Sequence, residues 1–479
     1  MLKTLPTYGQ PKADVLDTMK AARDKDVRWR EGRVFSLVFN AGDEVSDVLK
    51  EAYTLFFSEN GLNPTAFPSL KKFETEVVAM VASLLGGDEH VVGNMTTGGT
   101  ESLLLAVLTA REYARATKPH ITAPDMVLPA SAHPAFEKAA HYFGVKSIRV
   151  RLRPDFRADV TAMEKAITPN TILMVGSAPS YPQGVVDPIR ELAQVALRRN
   201  VLFHTDACVG GMLLPFVRKL GYPVPDFDFS IPGVTSISAD LHKYGYAAKG
   251  ASVLLHRNSE LRRHQFFAYI DWSGGIYVSP SMTGTRPGGP IAAAWALLNY
   301  LGEDGYLKLT DQVMKTVIKL RNGINAVDGL KILGTPEMSV MSIGSNSLDI
   351  YEVGDELTAR GWHLDRQQFP PTLHLTVSPY HANVADAFLH DLAEAAARAR
   401  KPTLRKVSNR VMVKTANLAA KTLPEKWVSR LTSKTSSIVG ASGDGLPQRS
   451  AAMYGLIGTL PNRGDLREMV LDLLDQLTK

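Results

Sequence analysis

The sequence predicts an α/β protein built on a mostly parallel central sheet covered on both faces. Between Gly93 and about Tyr300, short apolar runs alternate with helical stretches, the pattern of strands joined by crossover helices. The residues able to do chemistry fall at the ends of those runs and in the loops that follow, where ligands bind in such sheets. At 479 residues the chain is also too long for one simple core, so cooperating subdomains are expected.

Taken in order, residues 1–60 read as an N-terminal helical segment. Val45, Val48, Leu49, Ala52, Tyr53 and Phe56 recur at helical spacing after a turn at Gly42-Asp43. The run from Gly61 to Pro68 is a loop punctuated by Gly and Pro, followed by an amphipathic helix over 69–85. Apolar, β-branched runs predict strands at 126–128, 147–150, 172–175, 201–204, 235–238 and 252–255. Helices are expected at 103–109, 134–142 and 188–198, and Gly284 to Gly289 opens another at 291–301. Together 61–304 form a large domain. Residues 305–400 read as a smaller α/β domain, with helices at 309–324 and 382–398 and strands near 332 and at 373–377. A basic C-terminal extension, 401–479, is expected to pack on the small domain and to end in a helix at 466–477.

Composition narrows the class. Cys208 is the single cysteine, so no disulfide forms within the chain, which fits a reducing cytoplasm. The first residues lack the apolar core of a secretory signal. No run of about 18 apolar residues could span a membrane, so a soluble protein is expected. Net charge is +6, yet 401–434 alone carries nine basic residues against Glu425. That stretch is either a solvated face or a contact for an anionic membrane or a phosphorylated ligand. Nothing resembles a motif for reading nucleic acid.

Four motifs carry chemistry. Lys243 lies just after the β-branched run Ser236-Ile237-Ser238-Ala239. Burial there disfavours its charge and lowers its pKa, and such an amine can hold a carbonyl cofactor as a Schiff base. Upstream, Gly98-Gly99-Thr100 precedes an apolar helix, an arrangement that lets phosphate approach backbone N–H groups at a helix start. Asp206 ends the run Val201 to Thr205, placed either to pair with a pyridinium nitrogen or to cap the turn before Gly210-Gly211. His133, after the strand at 126–128, either stacks on a cofactor ring or serves its own loop. Phosphate loop, His, Asp and Lys in that order point to pyridoxal 5'-phosphate.

With these residues in place, the chain resembles the fold-type-I, pyridoxal-phosphate-dependent group II decarboxylase superfamily, an aspartate-aminotransferase-like fold. Within it, the stretch from Ser238 to Gly250 (Ser-Ala-Asp-Leu-His-Lys-Tyr-Gly-Tyr-Ala-Ala-Lys-Gly) is most similar to the sphingosine-1-phosphate lyases. The likeness runs from Leu5-Pro6, through Phe67-Pro68 and Gly284-Thr285-Arg286-Pro287-Gly288, to Ala452-Met453-Tyr454-Gly455.

That resemblance implies a lyase cleaving a phosphorylated sphingoid base, an amphiphilic amine, to a long-chain aldehyde and phosphoethanolamine. It implies that Lys243 holds the cofactor, Asp206 its ring nitrogen, and Gly98, Gly99, Thr100 and His242 its phosphate, with His133 on the ring. Thr285 would reach the cofactor phosphate of a neighbouring subunit in a homodimer, and Lys249 would meet the substrate phosphate. Tyr244 and Tyr246 either line the pocket or pack in the core. Two positions depart from the family pattern: Asn63 stands where a phosphate-contacting His is common, and Phe39 where a Tyr is common. Eukaryotic members carry a membrane anchor; none is expected here. The alternative is an amino-acid α-decarboxylase, for which Arg286 is the one cation available to a substrate carboxylate.

Overall fold

Seven short runs between Val92 and His256 pair into one sheet, and their burial explains which of them lie in its middle. The computed structural model describes residues 4–401 and, near the C-terminus, 467, 468, 470–472, 474 and 475. In chain order the strands are β1 (Val92–Thr96), β2 (Asp125–Pro129), β3 (Lys146–Val150), β4 (Thr171–Ser177), β5 (Leu202–Asp206), β6 (Ser236–Ala239) and β7 (Ser252–His256). Every residue of β2, β4, β6 and β7 is buried, which requires cover on both faces. The sheet order is β1-β7-β6-β5-β4-β2-β3. From β3 to β6 all pairings are parallel, while β7 runs antiparallel to both β6 and β1. The predicted fold class is therefore the one observed.

Strand β1 was not expected. Its Val-Gly-Asn-Met-Thr run lacks a clear apolar pattern, yet Gly93 is needed where it stands. A Cβ there would collide with the carbonyl oxygen of Leu254 on β7.

Helices α1 (Lys12–Arg23), α2 (Asp43–Leu55) and α3 (Pro68–Leu84) precede the sheet. Around it lie α4 (Gly99–Thr117), α5 (Ala135–Phe143), α6 (Val160–Ala166), α7 (Ile189–Arg198), α8 (Leu214–Lys219) and α9 (Ser259–Arg262). Helix α4 buries Leu103, Leu104, Leu105 and Val107, fixing its N-terminus at the end of β1. An exposed hairpin follows, β8 (Phe267–Trp272) with β9 (Gly275–Ser279). The helices expected at 291–301 and 309–324 lie on either side of a kink at Gly302 (φ 55°) within α10 (Gly288–Ala326). A glycine takes that left-handed conformation cheaply. The kink lets Ile291 and Leu297 join the core of the large sheet while Val313, Val317 and Leu320 join that of the small one.

The small sheet has the order β10-β11-β13-β12, from β10 (Lys331–Ile332), β11 (Val340–Gly344), β12 (Asp365–Gln367) and β13 (Thr372–Thr376). Helices α11 (Ile350–Thr358) and α12 (Ala385–Arg400) cover it. The N-terminal segment also reaches this sheet. Val34 forms a parallel bridge with His363, and Phe35 stacks on His381 at 4.1 Å between ring centres. That anchorage aims Leu37 and Phe39 at the junction of the two sheets.

The basic run beyond Lys401, and the expected packing of 401–479 on the small domain, lie outside the described residues. Of the expected last helix, the residues described are helical. Among the described residues no helix is long and apolar enough to cross a membrane.

Candidate active site

The parallel strands end on one side of the sheet, and the loops that follow them enclose a cavity of about 510 Å³. One wall comes from the turn between β1 and α4. No side chain caps α4, so its first backbone N–H groups remain available beside Gly98, Gly99 and Thr100. Glu101 shapes this turn: its Oε2 accepts from the Thr97 N–H and hydroxyl, each at 2.7 Å. Its Oε1 accepts from the Met282 N–H at 2.8 Å, tying the turn to the segment before Thr285. Gly99 is required by close approach, since a Cβ there would lie 2.7 Å from Asp240 Oδ2 and 2.9 Å from Cys208 Sγ.

Asp206 ends β5 at the cavity, its Oδ1 accepting from the Cys208 N–H at 3.1 Å. Lys243 follows β6, and its ammonium lies 2.9 Å from Asp240 Oδ2. This overturns the expectation of a lysine with lowered pKa. Burial does oppose the charge, but Asp240 beside it, with Cys208 and Asp206 nearby, carries Lys243 above the ordinary lysine range. For Asp240, burial pulls upward, yet Lys243 and His242 hold its carboxyl below the usual range. His242 Nδ1 accepts from the Ala251 N–H at 3.2 Å, which leaves the proton of the neutral ring on Nε2, 3.6 Å from Asp240. Burial lowers the His242 pKa against the pull of Asp240. His133 accepts from the Ala135 N–H through Nδ1 at 3.1 Å and keeps an exposed edge at the cavity mouth. The protein packed around its ring lowers its pKa despite the pull of Asp206.

The opposite wall comes from the N-terminal segment and the small domain. Lys249 donates to the carbonyls of Leu37 (3.1 Å) and His242 (3.3 Å), and its ammonium lies 5.2 Å from the centre of the Phe39 ring. Burial and the charge of Lys243 lower the Lys249 pKa, with Asp240 opposing. Tyr181 and Asp365 also face the cavity, joined by a hydrogen bond of 3.1 Å from the Tyr181 hydroxyl to Asp365 Oδ2.

Lys243, Asp206, His133, Gly98, Gly99, Thr100, His242, Lys249 and Phe39 thus meet around one cavity. Three expected residues stand apart from it within a single chain. Asn63 is exposed and accepts from the N–H groups of Thr65 and Ala66 at 3.0 and 3.2 Å. Thr285 is exposed on the loop ahead of α10. Tyr246 is buried beside Tyr244 at a φ of 58°. Arg286 faces away as well, bound through two nitrogens to Glu74 at 2.5 and 2.9 Å.

Sequence reasoning passed over Asp240, although its place three residues before the lysine was a signal. Asp365 and Tyr181 offered none.

The donor set fits pyridoxal phosphate. An uncapped helix start and His242 suit its phosphate, a carboxylate its ring nitrogen, an imidazole its ring face and a lysine its carbonyl. A family model described as the pyridoxal-dependent decarboxylase conserved domain matches residues 9–343. The sphingosine-1-phosphate lyase of Oryza sativa subsp. japonica is 41% identical, over 98% of this chain and 81% of its own. The solved structure of the Burkholderia pseudomallei sphingosine-1-phosphate lyase superposes with a TM-score of 0.81 at 39% identity, covering 88% of this chain and 98% of that one. A glutamate decarboxylase from Lactobacillus brevis reaches a TM-score of 0.74 at 18% identity, covering 84% and 96%, a likeness of fold alone.

Proposed function

The chain belongs to the sphingosine-1-phosphate lyase family of pyridoxal-dependent decarboxylase-domain proteins, and from that premise we propose that it is a pyridoxal-phosphate-dependent lyase of phosphorylated sphingoid bases. The bond broken joins the amine-bearing carbon to the hydroxyl-bearing carbon, giving a long-chain aldehyde and phosphoethanolamine. The observation that carries this reading is one cavity holding Lys243, Asp206 and His133 together, with Lys249 at its rim.

When bound, the cofactor supplies an electron sink for the pair released from the broken bond. The protein's part is binding and orientation. Lys243 would hold the cofactor carbonyl, Asp206 the ring nitrogen, His133 the ring face, and Gly98, Gly99, Thr100 and His242 the phosphate. The Lys243 ammonium is paired with the Asp240 carboxylate across 2.9 Å, which orients the lysine in the cavity. Lys249 offers the substrate phosphate a point charge. Phe39 lies beneath that ammonium and offers the phosphate no hydroxyl. The same reading makes the protein a cytoplasmic homodimer in which Thr285 and Asn63, both outside their own chain's cavity, serve the partner's.

The α-decarboxylase alternative lacks its cation, because Arg286 is occupied by Glu74. Incubating the purified holoenzyme with a phosphorylated sphingoid base, and separately with a panel of amino acids, tests the choice. Aldehyde from the first supports the lyase; carbon dioxide from the second with no aldehyde from the first would overturn it.

A further inference from the structure

The corner of the cavity built by the small domain carries a carboxylate with no role in the chemistry above. Asp365 begins β12 and faces the cavity across the junction of the two sheets. Its Oδ2 accepts from the Tyr181 hydroxyl at 3.1 Å and its Oδ1 from the Ser36 hydroxyl at 3.3 Å. Among the described residues, its one basic neighbour within ion-pair distance is the exposed His363, at 3.7 Å. Tyr181 is held from behind. Its ring stacks on His374 with centres 4.1 Å apart, and His374 Nε2 donates to the Tyr181 carbonyl oxygen at 2.9 Å. A tyrosine hydroxyl has one proton to give, and here it goes to Asp365. What the pair presents to the cavity is therefore lone pairs and negative charge.

We propose that Asp365 is a specificity-determining residue which, with Tyr181, forms an acceptor-only wall that turns away a carboxylate. The inference rests on the lyase reading and deepens it by naming how an amino phosphate is told from an amino acid. An amino phosphate with a neighbouring hydroxyl brings donors to this wall. An α-amino acid brings a carboxylate that needs a cation, and meets a like charge instead. Discrimination by such repulsion needs no contact with the accepted ligand.

O-phosphoethanolamine and O-phosphoserine differ by one carboxylate, so they isolate the effect. Each is titrated into the holoenzyme, following the visible absorption of the bound cofactor as a readout of binding separate from turnover. Wild type should prefer phosphoethanolamine by tenfold or more. Asp365→Asn, of nearly the same shape and still able to accept from Tyr181, should improve phosphoserine binding at least fivefold while phosphoethanolamine stays within about twofold. Asp365→Glu should retain the preference. Tyr181→Phe, which keeps the charge and loses the hydroxyl, should still reject phosphoserine, and it decides the matter if the Asp365 variants melt early. An unchanged ratio in a folded Asp365→Asn, or phosphoserine accepted by Tyr181→Phe, would overturn the proposal. Wild type that binds neither phosphorylated amine counts against the phosphorylated substrate instead; ethanolamine against serine then decides the role of Asp365 in the same variants.

Discussion

Replacing Asp240 with Asn keeps the shape of the side chain and removes the charge that faces Lys243. The ammonium and the Asp240 carboxylate lie 2.9 Å apart, with side-chain exposures of 25% and 1%, so solvent screens the pair little. Two costs compete in the cofactor-free variant. An ammonium left buried and unpaired costs roughly 3–5 kcal/mol. Shedding its proton at pH 7, from an ordinary lysine pKa of about 10.4, costs about 4.6 kcal/mol at 1.36 kcal/mol per unit. The two are nearly equal, so the variant should lose about 3–5 kcal/mol of stability near neutrality. The same range places its folded Lys243 pKa near 7–8.

The direction of the pH dependence follows from linkage. In the wild type, the folded Lys243 pKa is raised above its unfolded value. Its contribution is fully present below the unfolded pKa and is lost only as pH rises through the folded one. The Asp240 carboxyl is depressed, so its contribution is present above its unfolded pKa and is lost as pH falls through its folded one. Neither titrates between pH 6 and 9. In Asp240→Asn the order reverses for Lys243: the unfolded chain binds more protons above pH 7–8, and stability rises with pH. Denaturant unfolding of the two cofactor-free proteins at pH 6 and pH 9 reads this directly. The deficit should be full at pH 6 and smaller by about 1.5–2.5 kcal/mol at pH 9, and adding Lys243→Met to Asp240→Asn should recover most of it. A deficit below about 1 kcal/mol, or one equal at the two pH values, would refute Asp240 as the counter-ion of Lys243.

Borohydride reduction of the holoenzyme should fix the cofactor to Lys243, as peptide mapping would read; label found on Lys249 would move the attachment site. Asp206→Ala should weaken cofactor retention by roughly 3–5 kcal/mol, the cost of stranding a buried cation; retention by dialysis equal to wild type would leave Asp206 as a turn residue. Lys249→Ala should raise KM for a phosphorylated base by tenfold or more, since a charge-assisted hydrogen bond is worth about 1.5–3 kcal/mol. An unchanged KM would remove Lys249 from phosphate binding. Phe39→Tyr with Asn63→His should lower KM, and in a homodimer the Asn63 half of that gain should vanish when subunits are kept apart by dilution.

What the sequence made legible is local. Strands β2, β4, β6 and β7 announce themselves because each is buried along its whole length, which favours a mostly apolar or small run. Asp206 could be singled out because it ends β5, and Lys243 because it lies in the turn after β6. The hairpin β8–β9 carried a readable sign, the two-residue loop Ser273-Gly274 between two β-rich runs. The two helices expected at 291–301 and 309–324 flank the Gly302 kink of α10, a break that one glycine with a positive φ makes.

The misjudged charge of Lys243 shows where local reading stops. Burial was inferred correctly from its position after a strand, and burial alone does lower a lysine pKa. The turn between β6 and β7 folds Lys243 back so that its N–H meets the Asp240 carbonyl at 3.4 Å and its ammonium meets the Asp240 carboxylate. The sign of the shift is set by that turn. The other wall of the cavity is still less local. Phe39 reaches Lys249 because Val34 bridges to His363, and Tyr181 meets Asp365 across 184 positions of chain. One strand end can mark a buried lysine, but the groups on the far wall of its cavity come from segments that meet only where the small sheet packs against the large one. The motifs around Asp206 and Lys243 are therefore contiguous in sequence, while the Tyr181–Asp365 and Phe39–Lys249 pairs exist only in the folded chain.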